Sequence, residues 1–103
     1  MSRRVRILLH WLVELPLNGQ SPRGPRFALP ARFDHQGDEW ENDAWSVVII
    51  TEGKPDRKGE QIAVARFLVS DAPHDWLTVG KRFTLFEGKL ALAEGVVRGI
   101  ALR

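Results

Sequence analysis

The chain opens on an alternating run. Val5, Ile7, Leu9, Trp11 and Val13 fall on one side of an extended segment, and Arg6, His10 and Glu14 on the other. A period of two is the strand period, so the pattern predicts a first strand. Leu8 and Leu12 fall on the second side, which predicts partial cover there. Residues 17–25 hold Asn18-Gly19, Ser21-Pro22 and Gly24-Pro25, the chemistry of a loop. Phe27, Leu29, Ala31 and Phe33 then alternate with Ala28, Pro30, Arg32 and Asp34, a second strand. Pro30 cannot donate to a ladder, which predicts an edge or a bulge.

Residues 34–43 are polar and acidic and read as a connection. Trp45–Thr51 has the strongest β-propensity of the chain. Its near-continuous apolarity implies burial on both faces or cover by a partner. Residues 52–60 contain Gly53, Pro55 and Gly59 and predict a turn. Residues 61–70 predict a fourth strand. Residues 71–80 predict a loop with one helical turn near Asp71 or Asp75. Residues 81–86 predict a fifth strand, Glu87-Gly88 a tight turn, and residues 89–102 a long sixth strand. Gly95 and Gly99 within the sixth strand predict a bulge and a bend.

No helical heptad pattern, internal repeat or low-complexity segment interrupts this series. The class expected is all-β, a six-stranded antiparallel closed barrel or a small sandwich. A barrel removes the edge that Trp45–Thr51 would otherwise expose.

Composition narrows the function classes. The 103 residues are one domain's worth of chain, read as a single domain over residues 1–103. With no Cys, a disulfide scaffold and a zinc ribbon are excluded. Apolar residues at 44 % and charged residues at 27 % are ordinary globular usage. A domain this small buries a core but leaves little room for a deep substrate pocket.

The net charge of +2 is an average over unlike segments. Residues 1–33 carry six Arg against one Glu; residues 34–43 carry five acids and no Lys or Arg. Such asymmetry marks either a nucleic-acid face or an ordinary solvated protein surface.

The basic start before residues 7–13 superficially resembles a signal peptide. His10 interrupts the apolar run, Glu14 and Pro16 end it, and no small-residue cleavage site follows. The run is far short of the roughly 20 residues a membrane helix needs. A strand, a cytoplasmic location and no membrane contact are expected.

Tests for chemistry return little. His10, His35 and His74 lack the spacing of a metal site. Ser2, Ser21, Ser46 and Ser70 lie in no nucleophile elbow. Asp38, Glu39, Glu41 and Asp43 form an acidic run of the solvated kind. No phosphate-binding glycine loop occurs, and the two Asp-x-x-Gly runs at Asp34 and Asp56 read as turns. No enzyme activity, metal or cofactor is therefore expected.

Trp11, Phe27, Phe33, Phe67 and Phe83 lie in strand-like runs and are assigned to the core. Trp40 and Trp76 sit beside acids in loops. They read either as exposed anchors for a partner or as side chains folded back to cap a barrel end. Arg23, Arg26 and Arg32 form the best candidate surface, able to grip phosphates or to line a solvated face.

The C-terminal part carries a resemblance. Gly80-Lys81-Arg82-Phe83-Thr84-Leu85-Phe86-Glu87-Gly88, followed by Ala93-Glu94-Gly95-Val96-Val97, resembles the last hairpin of the third domain of translation elongation factor Tu. That family has a Gly-x-Arg-Phe-x-hydrophobic-x-Glu-Gly strand and turn, then a Gly-x-Gly-Val-Val type strand; Glu94 stands where a small residue is common. Upstream, Gly19-x-x-Pro22 and Gly24-Pro25-Arg26-Phe27 look like a shortened form of the family's glycine-rich loop.

The resemblance implies a six-stranded antiparallel barrel. It does not imply GTP binding or hydrolysis, since the family's GTPase chemistry lies in a separate domain for which this chain has no room. The family's third domain contacts the tRNA T-stem and packs on the GTPase domain, and Arg26 is the residue carried over. Pro30-Ala31-Arg32-Phe33-Asp34 stands where the family has an Arg-Thr-Thr-Asp run, which makes tRNA contact the weaker implication. The expectation is a standalone, non-catalytic binding module whose partner is a protein. RNA bound through Arg23, Arg26 and Arg32 is the alternative.

Overall fold

The computed structural model describes residues 3–101. Six strands are present: β1 (Val5–Trp11), β2 (Arg26–Phe33), β3 (Trp45–Thr51), β4 (Glu60–Phe67), β5 (Arg82–Glu87) and β6 (Leu90–Ile100). They close into one barrel in the order β1-β4-β3-β2-β5-β6, with β6 returning to β1. Every neighbouring pair is antiparallel. The end of the expected sixth strand at Leu102 lies outside the described residues. Among the described residues no helix is long and apolar enough to cross a membrane.

The alternating pattern decides what lies inside. Val5, Ile7, Leu9 and Trp11 of β1 are buried, as are Leu29, Ala31 and Phe33 of β2. Phe33 sits among aromatic rings, 5.2 Å from Phe83 and 5.8 Å from Phe67. Burying each such side chain contributes about 1.5–3 kcal/mol. In β3 the three consecutive residues Val47, Val48 and Ile49 are all buried, so both faces of its middle are covered, while Trp45 and Thr51 at its ends are only half-buried.

Two plugs fill the barrel ends. At one end, residues 68–81 between β4 and β5 insert Ala72 and Leu77 into the core. The helical turn expected in this loop is a 3-10 turn over His74–Trp76. β4 was expected to reach Ser70 but stops at Phe67. The Leu68 N–H donates to the Ser46 carbonyl, and beyond that point β3 offers no further partner.

At the other end, Gln61 is 3 % exposed and joins three segments. Trp11 Nε1 donates to Gln61 Oε1 at 3.0 Å, Gln61 Nε2 donates to the Gly53 carbonyl at 2.9 Å, and Ser21 Oγ lies 2.8 Å from Nε2. A buried amide needs such partners, since leaving one unmet costs about 1–3 kcal/mol.

Two expectations about backbone irregularities are corrected or refined. Gly95 forms no bulge: it pairs regularly with Leu9 on one side and Phe83 on the other. The bulges of β6 fall at Arg98, skipped between Arg6–Gly99 and Ile7–Val97, and at Leu92, skipped between Leu85–Ala93 and Phe86–Ala91. Pro30 lies within a closed barrel, yet its missing donor matters little. Odd residues of β2 face β3, as the Thr51 N–H to the Pro25 carbonyl indicates, and even ones face β5, as the Asp34 N–H to the Arg82 carbonyl does. Pro30 therefore points its nitrogen toward β5, one step beyond the last β2–β5 pair at Ala31.

Candidate functional site

The inward set of β2 forces Arg26 and Arg32 outward, and both are exposed. The Arg32 guanidinium carbon lies 5.3 Å from the centre of the Phe86 ring. Phe86 is an outward residue of β5, and its ring centre lies 4.9 Å from that of Trp40 at an interplanar angle of 31°. Arg32, Phe86 and Trp40 thus form one stack on the outside of the barrel. The next residue of β5, Glu87, accepts from Arg23 Nη1 at 2.7 Å. Arg26, the first residue of β2, has no ion pair among the described residues.

The structure separates the two loop tryptophans. Trp76 folds back over a barrel end, with its ring 5.3 Å from Phe33 and 4.4 Å from His35. Trp40 also folds back, but against the outer wall and not an end. It begins a 3-10 turn, Trp40–Asp43, on the acidic connection. Gln36 secures that connection: its Oε1 accepts the Phe33 N–H at 2.9 Å, and its Nε2 donates to the Asp43 carbonyl at 3.0 Å. The acids around it are exposed, and among the described residues no group of three His, Asp or Glu side chains is placed to hold a metal.

A second surface was not foreseen. A groove of about 260 Å³ on the outer wall is lined by Leu8, His10, Glu60, Arg82, Glu94 and Val96, with Gly95 and Arg98. Strand register orders these residues into rows. Glu60, His10 and Glu94 stand side by side on β4, β1 and β6; two residues along the strands, so do Ile62, Leu8 and Val96. Beyond them, Arg6 stands opposite Val64 and Gly99, next to the bulged Arg98. An acidic row, an apolar row and a basic edge therefore succeed one another down the wall. Alternation in β1 already placed Arg6 and His10 outward. Only the pairing of the first strand with the last brings Glu94 and Arg98 beside them.

No family model, curated protein or solved structure matches this chain. Functional inference therefore rests on the surfaces. The stack offers planar, partly apolar contacts with one delocalised cation, and the groove offers both charge signs around an apolar centre.

Proposed function

We propose that the chain is a non-catalytic barrel module of the kind represented by the third domain of elongation factor Tu, working in the cytoplasm by binding a protein partner. The observation that carries this reading is the Arg32–Phe86–Trp40 stack. Arg and Trp are enriched at the residues that dominate protein–protein affinity, and Phe86 holds both in fixed orientation without burying them in the core. Closure of six antiparallel strands and the Phe83–Gly95 hairpin support the likeness to the elongation-factor barrel.

RNA binding is the second reading, and Arg26 favours it. Its charge is exposed and has no ion pair among the described residues, whereas Arg23 is paired with Glu87 and Arg32 lies over Phe86. Two of the three cations that would grip phosphate thus already have neighbours within the chain.

The test captures partners with the parent chain and with Trp40→Ala, then repeats binding with the purified partner. Loss of affinity by about 30-fold or more on Trp40→Ala and on Arg32→Ala supports the protein reading. Equal affinity for parent and variants overturns it. A parallel titration against tRNA and single-stranded RNA decides the alternative. A log affinity that falls linearly with log salt and is lost on Arg26→Ala replaces the protein reading by the RNA one.

A further inference from the structure

We propose that a second copy of this chain docks on the outer wall formed by β4, β1 and β6. The wall carries its own complement. Glu94, Val96 and Arg98 follow one another outward on β6, so acid, apolar and basic positions occur in order along one strand. On β1, Leu8 and Arg6 repeat the apolar and basic positions with His10 in place of the acid; Glu60 stands beside His10, Ile62 beside Leu8, and Arg6 lies 3.9 Å from Glu52. Ile62 is 40 % exposed, and Leu8 and Val96 are half-buried, so the apolar row is open to contact.

Two such walls fit face to face about a two-fold axis lying along the apolar row. The axis leaves each strand position in place and exchanges the rows. Glu94 of each copy then faces Arg98 of the other, and the apolar rows meet in the middle. A two-fold axis along β1 instead would set Glu60 against Glu94, a like-charge contact that works against that arrangement. Glu94 thus distinguishes the two arrangements, and in the favoured one each copy presents the same patch to the other, which makes the dimer isologous. The result is an apolar centre with a charged rim, the usual anatomy of a protein interface. Arg82 of β5 stands opposite Val96 and lines the same groove at its far edge.

A stable interface takes roughly a tenth of a small protein's surface from each partner, which sets what this wall must bury out of the 6398 Å² that the chain exposes. The Trp40 stack lies beyond this contact on β2 and β5, so the dimer leaves the proposed partner site free.

The experiment measures association of the purified chain by sedimentation velocity over a concentration series, at low and high salt. The parent is expected to dimerise, more weakly at high salt. Glu94→Arg and Arg98→Glu are each expected to raise the dimer dissociation constant at least about tenfold, with far-UV circular dichroism unchanged because both positions are exposed. A mixture of the two variants is expected to recover association to within about threefold of the parent, since every facing pair is then of opposite sign. A parent monomeric at all concentrations overturns the proposal. So does a dimer indifferent to both substitutions, or a mixture that associates no better than either variant alone.

Discussion

A Cβ built on Gly95 would lie 2.6 Å from Cζ of Phe83. The two residues are directly paired across β5 and β6, and the ring lies over the place where a side chain would stand. Phe83 is 1 % exposed and its ring centre is 5.2 Å from that of Phe33, so it has no room to retreat. Gly95→Ala should lower stability by roughly 1–3 kcal/mol, the usual cost of overpacking a core. Urea denaturation measures it, and a change below about 0.5 kcal/mol, the range of neutral surface substitutions, would show that the ring yields.

Gln61 ties β1, the loop of Ser21 and the loop of Gly53 into one polar knot. Gln61→Leu keeps much of the volume but strips the Trp11 indole N–H and Ser21 of their partner. A loss of about 2 kcal/mol is expected. Limited proteolysis should show faster cleavage within residues 12–25, since Ser21 is then no longer held to β4. Unchanged cleavage would mean that the loop is secured by its apolar contacts alone.

Phe33 and the two loop tryptophans should separate by cost. Phe33→Ala removes a fully buried ring and should cost roughly 3–5 kcal/mol. Trp76→Ala exposes Phe33 at the barrel end and should cost about 2 kcal/mol. Trp40→Ala removes a ring from the outer wall and should cost no more than about 1.5 kcal/mol. Thermal or urea denaturation of the three variants gives the ranking, and a Trp40 variant as damaging as the Phe33 variant would place Trp40 in the fold's support.

Arg23 and Glu87 form a short but exposed pair. Pairs of this kind contribute about 0–1 kcal/mol. Arg23→Ala is expected to leave stability unchanged within about 0.5 kcal/mol, measured by denaturant titration at low salt. A larger loss would show that the pair orders the loop before β2.

The strands were legible because turn residues bound short alternating runs. β3 begins at Trp45 and ends at Thr51 in both sequence and structure, and the core aromatic residues follow from alternation for Trp11 and Phe33 and from their place in strand-like runs for Phe67 and Phe83. Phe27, assigned to the core by the same logic, is half-buried and packs against it beside Trp11. Gly95 was misread because a strand glycine signals either a bulge or a close approach, and only its neighbour Phe83 decides between them.

The surfaces were legible in part. Outward directions for Arg26 and Arg32 follow from Phe27 and Phe33. The stack does not, because Phe86 and Trp40 come together only once β2 has paired with β5. The charged rows depend likewise on which residue of β6 stands opposite His10, and no local pattern encodes that.

The pairing of β1 with β6 also sets the order of events when the chain is made. A ribosome releases β1 first and β6 last, so the first strand must wait for the last to emerge. Until then β1 lacks one neighbour, and its outward Leu8 has no Val96 beside it. Contacts between such distant segments slow folding, and an unpaired strand edge invites association with other chains in the meantime. The hydrogen bond from the Ala101 N–H to the Arg4 carbonyl would then be among the last to form during synthesis, sealing the barrel where its two outermost segments meet.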